Sequence, residues 1–170
     1  MTKLALIFCA LGFMACAAVG PVTQPAVTDA ASAASAASAA DRGAVIAVVQ
    51  SLFEAMRTRD TSAIRAAFAP HAQLVSIRTV PGAAPRVQVQ PLAAFVSSIG
   101  GAPGELVERM WDPRVEVAGD IASLWAPYDF RIGGTFSHCG HDAVHLVRTE
   151  YRWKITGITY TVITDACATR

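Results

Sequence analysis

Residues 115–162 read VEVAGDIASLWAPYDFRIGGTFSHCGHDAVHLVRTEYRWKITGITYTV. Gly119-Asp120 and Gly133-Gly134 break this stretch into long segments, and Thr149 to Arg152 breaks it again. Gly-Asp and Gly-Gly are the dipeptides of tight hairpin turns, because they reach positive φ at little steric cost. The segments between them are rich in β-branched and aromatic residues. Their spacing predicts a meander of long antiparallel strands. ELVERMWDPRVEVAGD (105–120) reads as one further strand leading into it.

Upstream the period changes. In DRGAVIAVVQSLFEAMRTRD (41–60), Val45, Val49, Leu52, Phe53 and Met56 fall on one helical face. Asp41 is the candidate cap of this helix. DTSAIRAAF (60–68) restarts a helix with Asp60 or Thr61 as cap, and Pro70 is expected to stop it. AQLVSIRTV (72–80) and RVQVQ (86–90) read as strands, and PLAAFVSSIGG (91–101) as a third helix. Three early helices and a late antiparallel sheet define an α+β domain. The apolar face of such long strands needs cover, so the sheet is expected to curl around the helices.

The first residues, MTKLALIFCALGFMACAAVG, carry one basic residue, an apolar run too short to span a bilayer, and small residues after it. That is the pattern of an export signal over residues 1–17. Two cleavages fit. One releases a soluble periplasmic chain after Ala15-Cys16-Ala17. The other leaves Cys16 lipidated and the protein tethered to the envelope. Residues 18–40 are an Ala/Ser-rich linker without large side chains, whose end can extend the following helix. The globular domain is expected over 41–167. Export leaves Cys139 and Cys167 in an oxidising compartment, where a bridge is favoured over two free thiols. The formal net charge of +1 and the absence of a basic stripe exclude nucleic acid as a partner. Membrane contact is expected only through the lipid.

The element order, with LFEAMRTRD, FAPHAQLVSI and the run from 115 to 162, resembles the NTF2-like superfamily, which includes SnoaL-like cyclases, ketosteroid isomerases and scytalone dehydratases. The late run is most similar to exported bacterial members of its nuclear transport factor 2 or lumazine-binding branch. The resemblance implies a cone, also called cystatin-like, in which three N-terminal helices and a strongly curved antiparallel sheet enclose an apolar pocket, often within a homodimer. It places Ser76 at or beside the carboxylate base of the isomerases. A neutral serine cannot serve as that base, so isomerase activity of that kind is not expected.

FSHCGHDAVH (136–145) concentrates three histidines, a cysteine and an aspartate. A two-residue turn at Gly133-Gly134 would put Asp129 opposite His138 and Trp125 opposite Asp142 on one face. Tyr128 opposite Cys139, and Ala126 opposite His141, would share the other. The histidines then split between two faces and cannot converge on one ion, so no metal is expected. Asp129 and His138 would form a cross-strand pair able to orient a ligand or act as acid and base. Trp125, Tyr128, Asp129, His138 and Asp142 are the candidate ligand residues. Arg109 and Arg131 read as solvated charges at strand edges. The expected function is binding of a small apolar or aromatic molecule in the pocket, without a cofactor and without assured catalysis. The alternatives are a lyase, isomerase or cyclase using Asp129–His138, and a homodimeric interaction module of the envelope.

Overall fold

The computed structural model describes residues 27–80, 82–150, 152–165 and 167, with side chains from residue 38 onward. The expected export signal and Cys16 lie outside the described residues. Helix α1 spans Val27–Thr58. The Ala/Ser segment from residue 27 onward is thus helical and continuous with α1, as its alanine content favours. Asp41 therefore caps nothing. Its carboxylate instead pairs with Arg148, Nη2 to Oδ2 at 2.6 Å, and ties α1 to the sheet. The Arg148 guanidinium also lies 4.5 Å from the centre of the Trp153 ring.

Val45, Val49, Leu52 and Met56 form the buried stripe of α1. The helix closes with Asp60 N–H donating to Ala55 O and Arg59 N–H to Met56 O. This is the paired arrangement that satisfies the last carbonyls, and it puts Arg59 at φ 57. Asp60 then accepts from the N–H groups of Ser62 and Ala63 and starts α2, Thr61–Ala67. The sharp corner thus comes from one residue ending one helix and capping the next.

The strands are β1 (Phe68–Arg78), β2 (Arg86–Pro91), β3 (Leu106–Met110), β4 (Arg114–Ala118), β5 (Ile121–Ile132), β6 (Thr135–Thr149) and β7 (Arg152–Val162), with α3 (Leu92–Gly100) after β2. They form one seven-stranded sheet in the order β2-β1-β7-β6-β5-β3, with β4 also on β5. The α+β architecture and the curved sheet are as expected. One pair differs, because β1 runs parallel to β7 while the others are antiparallel. The expected single strand over 105–120 is also divided. Trp111, Asp112 and Pro113 interrupt it, with Asp112 at φ 46, so that β3 and β4 pair with successive parts of β5.

Two unpaired residues set which side chains point inward. In β6, Ser137 is unpaired between Arg131↔Phe136 and Phe130↔His138. In β7, Thr156 is unpaired between Leu146↔Ile155 and His145↔Gly157, and its hydroxyl donates to His145 O at 3.1 Å. A bulge reverses the parity of alternation. It is why Ile155 and Ile158, three apart, both reach the core.

The end of the chain is fixed to the back of β6. Ile163 and Cys139 exchange backbone hydrogen bonds of 2.9 Å, and a disulfide joins Cys139 to Cys167. The bridge closes a loop with a sequence separation of 28. Cys167→Ser is expected to lower stability by about 2–4 kcal/mol, the range for a bridge over a loop of this length. Urea unfolding of the oxidised parent and the variant checks this, and equal midpoints would show that the bridge contributes nothing.

Candidate functional site

The inner face of the sheet, α1 and α3 enclose a cavity of about 210 Å³. Leu52, Phe53 and Met56 come from α1, Phe95 and Ile99 from α3, and Leu74, Phe130, Val144 and Ile158 from the sheet. The exposed Ser98 and half-buried Gln90 stand at its rim, with Gln90 Nε2 donating to Ser98 Oγ at 3.3 Å. The walls are thus largely apolar. Behind the rim the polar groups are Glu108, Asp142, His138, Tyr128 and Tyr160.

The Ser137 bulge changes the expected pairing. His138 faces Phe130, Asp129 faces Cys139, Asp142 faces Ala126 and Trp125 faces Ala143. The Asp129–His138 pair therefore does not form. Asp129 lies on the outer face, where Arg109 directly across on β3 grips both carboxylate oxygens. This hydrogen bond and charge hold Asp129 below its ordinary carboxylate range. Arg109 is thus the partner of Asp129 and not a free edge charge. Arg131 reaches back to Gly134 O at 3.4 Å.

Trp125 is also outside. It is 47% exposed and its ring stacks on His141 at a centroid distance of 5.4 Å. Of the five expected ligand residues, the structure brings Tyr128, His138 and Asp142 together in the cavity and leaves Trp125 and Asp129 on the far side of the sheet.

Tyr128 is 2% exposed and donates its hydroxyl to Thr161 O at 2.8 Å. Gly140, opposite Tyr128, makes room for that carbonyl, since a Cβ there would sit 2.0 Å from Thr161 O. Burial pushes the Tyr128 hydroxyl far above its usual range, so it stays protonated. His138 sits edge-on to Tyr128 and against Phe130, with Nδ1 3.0 Å from Ser137 Oγ. Burial, helped by the charge of Arg78, lowers its pKa, so the imidazole is neutral near pH 7.

Glu108 is the residue that the sequence reading passed over. It alternates with Leu106 and Met110 on β3 and so faces the core, where its carboxyl meets that of Asp142. An acid in an apolar i, i+2 register was the available signal. Removal from water raises both pKa values, and the mutual charge adds to the rise of Glu108. Asp142 moves from its ordinary 3.8 up to about 7. The two groups share a hydrogen bond, which requires a proton on one of them. Chemically the pair can hold a proton, accept donors, and release that proton to a stronger base. Among the described residues no group of three His, Cys, Asp or Glu side chains could hold a metal ion.

The sign of the resulting pH dependence follows from linkage. Asp142 keeps its proton more tightly folded than unfolded. Its contribution is therefore fully present below about 3.8 and lost as pH rises through about 7. Asp129 acts the other way and loses its contribution in acid. His138, held neutral, favours folding above its ordinary value of 6.5 and loses that below it. Asp142→Asn should accordingly be more stable than the parent at high pH by roughly 1–3 kcal/mol, with the gap narrowing towards pH 5. Urea melts at both pH values test this, and a gap that widens in acid would contradict it.

Comparison with known proteins agrees with the geometry. Residues 40–161 match the family described as "Putative lumazine-binding". The search of curated protein sequences gave no match. An NTF2-like protein with a cystatin-like fold from Novosphingobium aromaticivorans superposes with TM-score 0.62 at 15% identity, covering 84% of this chain and 93% of that one. An NTF2-like protein from Cytophaga hutchinsonii gives 0.60 at 10% identity, over 72% and 98% of the two chains. An NTF-2 like protein of unknown function from Silicibacter pomeroyi gives 0.55 at 20% identity, over 74% and 98%. At such identities the structural matches speak for the fold alone. Together with the family match over most of its length, they show that this chain is a member of the lumazine-binding-like family of the NTF2-like superfamily.

Proposed function

We propose that this protein binds a small, flat, largely apolar molecule in the cavity between α1, α3 and the inner face of the sheet. The observation that carries this reading is the cavity itself. Its apolar walls come from α1, α3 and the sheet, and its inner polar groups are all carried by strands, a largely apolar pocket with a few polar groups as ligand sites are commonly built. The family description makes lumazine the natural first probe, because it is a flat heterocycle. Ser98 stands at the rim on an exposed turn of α3, so Ser98→Trp should obstruct the mouth without touching the core. Lumazine fluorescence is expected to titrate to saturation with the parent. The variant should bind at least about tenfold more weakly at an unchanged melting temperature, a loss of about 1.4 kcal/mol. Equal binding by the two proteins would remove the cavity as the site.

A second reading concerns the outer face, and a specific pattern favours it. Val89, Val75, Thr159, Ala143 and Trp125 form one lateral row across β2, β1, β7, β6 and β5. The adjacent row carries Val87, Ile77, Thr161, His141 and Pro127, with His141 N–H donating to Thr161 Oγ1. Within these five strands neither row contains a Lys, Arg, Asp or Glu, Arg114 of β4 stands beside Trp125 at the end of the first row, and Val87, Val89 and Trp125 are 64%, 56% and 47% exposed. We infer that this face joins two copies into a homodimer, because a broad uncharged sheet face is poorly suited to water. Sedimentation at micromolar concentration should give a dimer for the parent and a monomer for the Val89→Glu/Trp125→Glu double variant. A parent that sediments as a monomer would refute it.

A further inference from the structure

Two carboxyl groups in an apolar cavity call for a positive partner, and among the described residues the cavity wall supplies none. Asp142 is 4% exposed and meets Glu108 inside the cone. The groups around the pair can be taken element by element. On β3 there is Glu108 itself, and on β5 Tyr128, with Asp129 acting on Glu108 from the far face. On β6 and β7 there are the neutral His138 and Tyr160, and on β1 the exposed Arg78, which influences Tyr128, His138 and Tyr160 but is not in the wall. Helix α1 presents Leu52, Phe53 and Met56, and α3 presents Phe95, Ser98 and Ile99. Arg57 of α1 shares an adjoining surface pocket with Glu108 but is committed to Glu54 and Glu105. Among the described residues no Lys or Arg lines the cavity. Arg109, the neighbour of Glu108 in sequence, points to the other face and is committed to Asp129.

Buried charges are normally paired, and an unpaired one either recruits a partner or gives up its charge. Here the protein leaves the second course as the resting state and the first open to a ligand. Among the described residues no group of three His, Cys, Asp or Glu side chains could hold a metal ion, and two carboxylates within apolar walls suit an organic cation. The cavity that holds the pair is also lined by Phe53, Phe95 and Phe130, whose rings favour a flat partner.

Resting on the cavity-binding reading above, we propose that the cavity selects a flat organic monocation, an amidine or a protonated amino-heterocycle, whose N–H donors meet Glu108 and Asp142. Its charge stabilises the ionised carboxyls and so expels the proton held between them. Carboxylates and phosphates are rejected by the same charge.

Three probes of nearly equal shape and different charge separate this proposal from the reading it rests on. Calorimetric titration of the full chain at pH 7.5 is expected to show benzamidine binding at least tenfold more tightly than benzamide, with benzoate weakest. Benzamidine affinity should rise between pH 6 and pH 8 as the pair gives up its proton, and benzamide affinity should not. Glu108→Gln and Asp142→Asn, measured separately so that one suffices if the other fails to fold, should each bring the benzamidine-to-benzamide ratio close to one. Equal affinities of the parent for benzamidine and benzamide would overturn the charge selection and leave the cavity as a neutral-ligand site. A ratio unchanged in both variants would overturn the assignment to this pair. Absence of binding by all three probes and by lumazine would overturn the cavity reading with it.

Discussion

One unpaired residue governs the inside of this protein. Ser137 has no partner on β5, so every residue of β6 beyond it is displaced by one position relative to a plain two-residue hairpin. Without that bulge His138 would stand opposite Asp129 and Asp142 opposite Trp125. With it, His138, Asp142, Val144 and Leu146 share the face that packs against α1, while Cys139, His141 and His145 lie behind. A shift of one residue exchanges the faces of a strand. The register of β6 against β5, and with it which β6 side chains meet the inner groups of β5, therefore follows from this irregularity. Thr156 acts similarly on β7, turning Ile158 and Tyr160 to the side that Ile155 already occupies.

Placing Asp142 inside carries a cost that the rest of the core must offset. Val45, Val49, Leu52, Ile64, Leu124, Leu146 and Ile155 are all essentially inaccessible, and burying such side chains stabilises by about 1.5–3 kcal/mol each. Against that background two carboxyls that share a proton are tolerable but not favourable, since an apolar pair of similar volume would cost less. Departures of this kind from core chemistry are concentrated at functional sites. Asp129 shows the contrasting solution. Its charge is kept, and Arg109 answers it at the sheet surface.

The parts of the site legible in the sequence were those set by identity and coarse period. Tyr128, His138 and Asp142 were singled out as polar groups on long strands, and they do line the cavity. The register of a regular hairpin placed Trp125 and Asp129 with His138 and Asp142, and put Tyr128 on the opposite face. Nothing in TFSHCGHDAVH distinguishes Ser137 as the residue to be left out of the ladder, because bulge position depends on how both neighbouring strands are twisted and paired. Glu108 was missed because its segment read as one long strand. The break at Trp111–Pro113 is what ends β3 and gives it its own pairing with β5.

By itself the sequence determined the type and order of the elements apart from the division of 105–120 and the early start of α1, together with the hairpin turns at Gly119 and Gly133-Gly134, the apolar stripe of α1 and the α+β class. These depend on local conformational preference and on period, which short stretches encode. The parallel contact of β1 with β7, the two bulges, the separation of Asp129 from His138 and the meeting of Glu108 with Asp142 were decided only in the tertiary structure. Each depends on contacts between residues far apart in the chain. Whether an acid stands alone, beside an arginine or beside another acid is a property of the assembled sheet.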